Sequence, residues 1–267
     1  MPVDAPPAVL SVRDLRCSYG DTLILEDVSF DVAPREVFVV LGTSGSGKST
    51  LMRNIVGLEQ PAAGTVEIDG QRFDNAVGEE RRDVLRKMGV LFQSGALFSS
   101  MTLAENVGLQ LEEFTSLPAA AIREIASLKL GMVGLAGYEE YLPDEISGGM
   151  RKRAALARAL AMDPKLLFFD EPSAGLDPIT SVELDELILG LRDSLGTTLV
   201  IVTHELSSIF KVADRCIVLD GSRRRVVAEG QPKELRAHSD DPFVHAFFNR
   251  IPLAAAPSGP RARRGVN

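Results

Sequence analysis

Val37-Phe-Val-Val-Leu41, then Gly42-Thr43-Ser44-Gly45-Ser46-Gly47-Lys48-Ser49-Thr50, then Leu51–Val56 read as a buried strand, a glycine-rich turn and an apolar helix. The turn has the spacing G-x-x-x-x-G-K-S/T of a phosphate cradle, the P-loop. Gly42, Gly45 and Gly47 permit backbone angles that side chains forbid, so successive N–H groups turn inward around an anion. A helix beginning near Lys48 aims its unpaired amides and positive dipole end at the same point. Lys48 is expected to reach the β- and γ-phosphates, Ser49 to ligate Mg²⁺, and Thr50 to lie beside the α-phosphate.

Outward from this stretch the chain divides into three zones. Val9 to about Leu91 is strand-rich, with apolar or alternating runs at Leu23–Val32 and Thr65–Ile68 and turns at Tyr19-Gly20-Asp21 and Asp69-Gly70. About Ser94 to Met162 is mostly helical, with helical apolar spacing over Ala119–Leu130 and an alanine- and leucine-rich helix over Arg151–Ala161. Strands and helices then alternate. Leu166–Phe169 and Thr198–Val202 read as strands buried on both faces, and a helix from Pro178 to Gly196 carries Leu184, Leu187, Leu191 and Leu195 on one side. Helices inserted into an α/β core predict two lobes of one domain. The ends, Met1–Pro7 and Leu253–Asn267, have a disordered composition.

Composition bounds the function. The chain has 267 residues, 45% of them hydrophobic, enough for a sizeable core, and no apolar run nears the ~18 residues that span a bilayer. Its start lacks the basic and apolar segments of a secretory signal. Cys17 and Cys216 fit buried apolar positions in a reducing compartment and are too few for a metal quartet. A net charge of -8 argues against general nucleic-acid affinity.

A P-loop alone leaves the chemistry open, and further motifs narrow it. Leu166-Leu-Phe-Phe-Asp170-Glu171 is an apolar strand ending in two carboxylates. Asp170 suits a Walker B role, holding Mg²⁺ through water, and Glu171 suits orienting and deprotonating an attacking water. Ser147-Gly148-Gly149-Met150 opens the next helix as a second anion site, with a serine hydroxyl and glycine amides but no lysine of its own. Two phosphate surfaces with one Walker B pair point to two copies head to tail, each offering Ser147-Gly148-Gly149 to its partner's P-loop.

The Ser-Gly-Gly run a short distance before Walker B resembles the signature sequence of ABC ATPases, and the similarity extends from Val9 to Gly230. By that resemblance Tyr19 stacks on adenine, and Gln93 is the glutamine that contacts metal or water and links the lobes. Ser173-Ala-Gly-Leu-Asp177 is the loop that crosses the dimer interface, and His204 in Val202-Thr-His-Glu205 is the switch that bonds the γ-phosphate. The implied fold is an α/β cassette: an N-terminal antiparallel β subdomain, a mostly parallel core sheet and an inserted helical subdomain, over residues 8–250. The implied cofactors are ATP and Mg²⁺. The implied cycle is dimer closure on ATP and opening after hydrolysis.

Met150 stands where most such signatures carry glutamine. Together with Gly89-Val-Leu-Phe-Gln93-Ser-Gly-Ala-Leu-Phe98 and Met101-Thr-Leu-Ala-Glu-Asn106, it is similar to the ATPase subunits of Mla-type (MlaF-like) systems. That likeness implies transport of phospholipids or other hydrophobic molecules, a separate integral membrane permease, a substrate-binding protein of the mammalian-cell-entry class and a small cytoplasmic regulator. It implies a place on the cytoplasmic face of the inner membrane. Leu97, Phe98, Met101 and Leu103 either line the permease groove or pack inside the helical lobe. Arg151, Lys152, Arg153 and Arg158 read as a solvated basic face, or else one that approaches acidic groups across the dimer, and Arg261, Arg263 and Arg264 as a solubilising tail, or else a contact with anionic lipid. A DNA- or ribosome-acting ABC ATPase would bring paired cassettes, zinc cysteines or heptad arms, and a small-molecule P-loop kinase would need neither Ser147 nor His204.

Overall fold

The computed structural model describes residues 7–252. In chain order its strands and helices are β1 Leu10–Tyr19, β2 Thr22–Val32, β3 Val37–Gly42, α1 Lys48–Ile55, β4 Ala63–Ile68, β5 Gln71–Arg72, α2 Gly78–Arg86, β6 Met88–Leu91, α3 Leu103–Phe114 and α4 Ala119–Met132. They continue with α5 Gly148–Ala159, β7 Leu166–Asp170, α6 Pro178–Leu195, β8 Thr198–Thr203, α7 Leu206–Val212, β9 Arg215–Asp220, β10 Arg225–Gly230, α8 Pro232–His238 and α9 Pro242–Asn249.

One sheet is antiparallel in the order β2-β1-β4-β5, and the other runs β10-β9-β3-β8-β7-β6. In the second sheet every pairing is parallel except β10 with β9. Successive side chains of a strand point to opposite faces, and this period splits the interior in two. Val37, Val39, Leu41, Leu167 and Phe169 face the helices α3–α7 and α9. Phe38, Val40, Leu166 and Phe168 face α1 and the antiparallel sheet, where Phe30 stacks on Phe38 at 5.0 Å. Strands covered on both faces show near-continuous apolar runs, which is why β3, β7 and β8 were legible.

Helix ends follow local chemistry. Thr102 and Glu105 form a capping box on α3. Asp177 caps α6 ahead of Pro178, and Gly196 closes that helix at φ 67. On α6 the buried apolar residues are Leu184, Ile188 and Leu191; Leu187 is half-buried and Leu195 is exposed. The leucine side of α6 is thus buried at Leu184 and Leu191 but open at its last turn, where Leu195 lines a groove with Pro164 and Lys165. A helix, α2, also stands inside the zone that read as strand-rich. Its Arg81 holds the Gly57 carbonyl at 2.6 Å and lies over the Phe73 ring.

Cys17 and Cys216 are buried and free, and burial pushes both thiols up to about 12. The readings of the two ends, including Arg261, Arg263 and Arg264, fall outside the described residues apart from Pro7.

Asp241 caps α9 through the amides of Phe243 and Val244 and pairs with Arg223. The Arg223 guanidinium, with those amides, holds its carboxyl down at about 2 against an ordinary 3.8. A depressed carboxylate stabilises the fold above its unfolded pKa and loses that contribution as pH falls toward the folded one. Asp241→Ala is expected to cost about 1 kcal/mol at neutral pH, the usual worth of a cap. The gap from wild type should close between about pH 4 and 2, as read by denaturant melts across that range.

Candidate functional site

The chain turns from strand to loop at the C-terminal ends of β3, β7 and β8, and the chemistry-bearing residues gather there, as expected for an open α/β sheet. Pairing sets the alignment: Leu41 lies opposite Thr203, and Asp170 opposite Val202. The P-loop therefore stands beside the Walker B pair and His204.

The loop is built as its glycines require. Gly45 and Gly47 have φ of 78 and 94. A Cβ on Gly42 would lie 2.7 Å from the Leu219 carbonyl oxygen. Lys48 opens α1 and folds back over the turn, its Nζ donating to the carbonyls of Gly42 and Thr43 at 3.0 and 3.1 Å. Ser46 Oγ is buried beneath the loop and has no hydrogen-bond partner among the described residues.

Ser49 Oγ donates to Asp170 Oδ1 at 3.1 Å. A hydroxyl and a carboxylate oxygen this close suit a hard cation that keeps most of its shell for water and phosphate, so the pair fits Mg²⁺. Asp170 is buried, and that burial raises its carboxyl above the usual range against the Ser49 hydrogen bond. Burial likewise lowers the Lys48 ammonium, opposed by Glu171 and Asp170.

Glu171 is the hub. Its Oε1 lies 2.8 Å from His204 Nδ1 and 3.9 Å from Lys48 Nζ, and its Oε2 accepts from Thr203 Oγ1 at 3.2 Å. Its backbone has φ 48, a conformation rare for a side-chain-bearing residue. Gln93, just past β6, joins Ser44, Lys48, Ser49, Glu171 and His204 around a cavity of about 360 Å³. Ile24 of β2 lines it as well. Tyr19, on the β1–β2 turn, is 72% exposed and lies outside that lining, an aromatic face open to solvent. Size does not single out this cavity. A groove of about 560 Å³ lies at the opposite ends of the strands, among Pro7, Asp69, Lys165 and Thr198, and brings together none of the motif residues.

Ser147, Gly148 and Gly149 are elsewhere. They line a second groove of about 600 Å³ with Arg153, Asp177 and Thr180, and it shares no lining residue with the P-loop cavity. Ser147 caps α5 by accepting from the Met150 amide at 3.2 Å. Asp177 is occupied within the chain, accepting from the amides of Ile179 and Thr180 and, at 2.6 Å, from the Thr180 hydroxyl. Met150 packs its side chain against the core, which accounts for an apolar residue at that position.

The solvated basic face is corrected. Lys152 and Arg158 are each only 8% exposed. Arg158 donates to the carbonyls of Gly95 and Ala96 at 2.9 and 2.6 Å, bracing the loop after Gln93. Lys152 Nζ donates to the Glu171 carbonyl at 3.2 Å. Arg153 and Arg151 are half-buried and bonded to Glu183 and to the Ile146 carbonyl. The signal was available: Ala154 to Ala161 is apolar all round apart from Arg158, and a helix of that kind is buried on every side. Thr203 and Ile24 were missed because a threonine at a strand end and an isoleucine within a strand carry no motif. Of the four residues after Gln93, Leu103 is fully buried, Leu97 and Met101 are half-buried, and Phe98 is 50% exposed. Only Phe98 faces mainly outward.

Among known proteins, residues 25–174 match the model of the ABC transporter family. The chain is 42% identical over 240 residues to the probable ribonucleotide transport ATP-binding protein mkl of Mycobacterium leprae, covering 90% of this chain and 68% of that one. It is 38% identical over 243 residues to the intermembrane phospholipid transport system ATP-binding protein MlaF of Escherichia coli, covering 91% and 89%. Among solved structures, cbiO1 of Clostridium perfringens, part of the transporter complex cbiONQ, aligns with a TM-score of 0.78 at 30% identity over 88% of this chain and 93% of that one. The cassette MJ0796, dimeric and bound to ADP and Pi, aligns with a TM-score of 0.75 at 30% identity over 83% and 98%. With a family model spanning more than half its length and a relative 38% identical over 89% of that relative's own length, the chain belongs to the ABC transporter family of ATPases.

Proposed function

We propose that the chain is the ATPase subunit of a transporter moving phospholipids or similarly hydrophobic molecules, and that it works as a head-to-tail dimer with ATP between the two protomers. The observation that carries the dimer is the separation of the two half-sites: the P-loop cavity and the Ser147 groove share no residue within one chain. A two-fold pair brings each groove onto the other's nucleotide. In this reading Lys48 grips the β- and γ-phosphates in place of the two carbonyls it now holds. Ser49 and Asp170, with Gln93, hold Mg²⁺, which when bound neutralises phosphate charge. Glu171 orients and deprotonates water, and His204 senses the γ-phosphate. Tyr19 offers its ring to adenine, and Ser147, Gly148, Gly149 and Asp177 serve the partner's nucleotide.

Among the described residues no helix is long and apolar enough to cross a membrane. In this reading transport runs through a separate permease, and the ATPase is peripheral to it on the cytoplasmic face of the inner membrane. The relatives' names differ on cargo. The phospholipid reading is supported by the alignment with MlaF across 91% of this chain at 38% identity, and ribonucleotide, from the name of mkl, is the rival cargo. A mammalian-cell-entry-type binding protein and a small regulator complete the assembly. Reconstitution with the co-purifying permease, assayed for ATP-dependent transfer of labelled phospholipid and of labelled ribonucleotide, decides between the two.

Shared catalysis has its own test. Ser147→Arg is expected to bind ATP normally yet hydrolyse almost none, because the fault lies on the partner's site. Mixed one to one with Lys48→Ala, it should recover roughly a quarter of wild-type turnover, since half the dimers would hold one intact composite site. Inactivity of the mixture, with mixed dimers detected by cross-linking, counts against the sandwich.

A further inference from the structure

Lys152 is a buried cation that the cycle above does not use. It sits on α5, whose first turn carries the Ser147-Gly148-Gly149 surface. Taking an ammonium out of water is costly unless it is paired and hydrogen-bonded, so its location calls for a cause. Its Nζ donates to the carbonyl oxygen of Glu171 at 3.2 Å, which also accepts from the Ala174 amide at 3.1 Å. On the other side of the same residue the Glu171 amide donates to the Val202 carbonyl at 2.8 Å.

Glu171 needs this holding. Its φ of 48 is unfavourable for a residue with a Cβ, and such a conformation persists only where surrounding contacts fix it. Pro172 follows it and restricts it further. Burial lowers the Lys152 ammonium from the ordinary lysine value, opposed by the charges of Glu171, Glu205 and Asp170. Arg158, a turn and a half further along α5, holds the loop after Gln93 by two carbonyls. The helix that would feel the partner's nucleotide at its first turn thus carries buried cations to two loops of its own protomer's site.

We infer that Lys152 is a positioning residue for Glu171: it ties the backbone of the catalytic carboxylate to the signature helix, so that the pose of α5 against the partner's ATP sets the pose of Glu171 in its own site. The inference rests on the role proposed for Glu171. Lys152→Met keeps the stem and removes the charge and the donor; Lys152→Arg keeps both.

The test is a double-mutant cycle on the full-length chain, reading single-turnover hydrolysis and ATP affinity separately. Lys152→Met is expected to lower kcat by roughly tenfold to a hundredfold, the scale of an ångström-sized misplacement, with ATP affinity within about twofold. Lys152→Arg should recover most of the rate. In the Glu171→Gln background Lys152→Met should lower the residual rate by less than about twofold, because the residue it positions no longer acts as a base. An equal loss in both backgrounds means a general packing role and overturns the inference, as does a wild-type rate in Lys152→Met. If Lys152→Met fails to unfold cooperatively, the same cycle on Lys152→Gln decides by the same criteria. A wild-type rate in Glu171→Gln alone instead removes the role assigned to Glu171, an outcome distinct from the others.

Discussion

Glu171→Gln is expected to retain ATP binding while hydrolysis falls by about 10²- to 10⁴-fold, the usual contribution of a positioned base. The substitution preserves shape, and the amide can still meet Thr203 Oγ1 and His204 Nδ1, which lie 3.2 and 2.8 Å from the native carboxylate. What it loses is the ability to take a proton, together with one negative charge 3.9 Å from Lys48. Relief of that charge beside the γ-phosphate favours binding of an anionic nucleotide. With affinity kept or raised and turnover blocked, the nucleotide stays between the protomers. The variant should therefore run as an ATP-dependent dimer by sedimentation or size exclusion, under conditions where wild type returns to monomer as ATP is consumed. Turnover equal to wild type removes Glu171 from its assigned role. Low turnover with no stable dimer separates the chemistry from the sandwich and leaves only the former.

The sequence carried the fold wherever local chemistry dictated it. The run into Gly42, the apolar strand ending at Asp170-Glu171, and Pro178 with Gly196 around α6 each have a one-residue physical cause, and all stand in the structure where the pattern puts them. The readings that failed depend on tertiary position. Arg158 and Lys152 read as solvated because charge on a helix usually is, yet the α5 helix is enclosed by α3, α4 and β6. Leu195 lies on the leucine side of α6 yet is exposed, lining an open groove with Pro164 and Lys165. For the candidate site, the motifs gave the groups around Lys48 but not their mutual bonds. That Glu171 touches Thr203 and His204 depends on β7 lying beside β8 in a particular register, which no spacing in the chain encodes. That the Ser147 groove shares no lining residue with the P-loop cavity is likewise invisible in sequence, and it adds to the sequence's own argument for a second protomer.

Lys48→Ala is expected to weaken ATP binding by on the order of 10²- to 10³-fold, about 3–4 kcal/mol. Lys48 is 6% exposed, and the hydrogen-bonding partners of its ammonium are two backbone carbonyls of the loop itself. Burial already works against its charge, so a phosphate entering the turn finds a cation that has shed most of its water and needs no further desolvation to bind. Alanine removes this cation and leaves Asp170 and Glu171, both buried, facing the incoming phosphates, with Arg53 in the last turn of α1 the remaining basic residue of that helix. The loss is thus attraction forgone plus repulsion exposed, larger than that of an exposed ion pair. Lys48→Arg should recover little, since the planar fork cannot occupy the space of a compact ammonium between the Gly42 and Thr43 carbonyls. Isothermal titration with ATP, alongside thermal unfolding without nucleotide, distinguishes lost binding from lost fold. Unchanged affinity in a folded Lys48→Ala protein would remove the phosphate from this loop, and with it the reading of every group arranged around it.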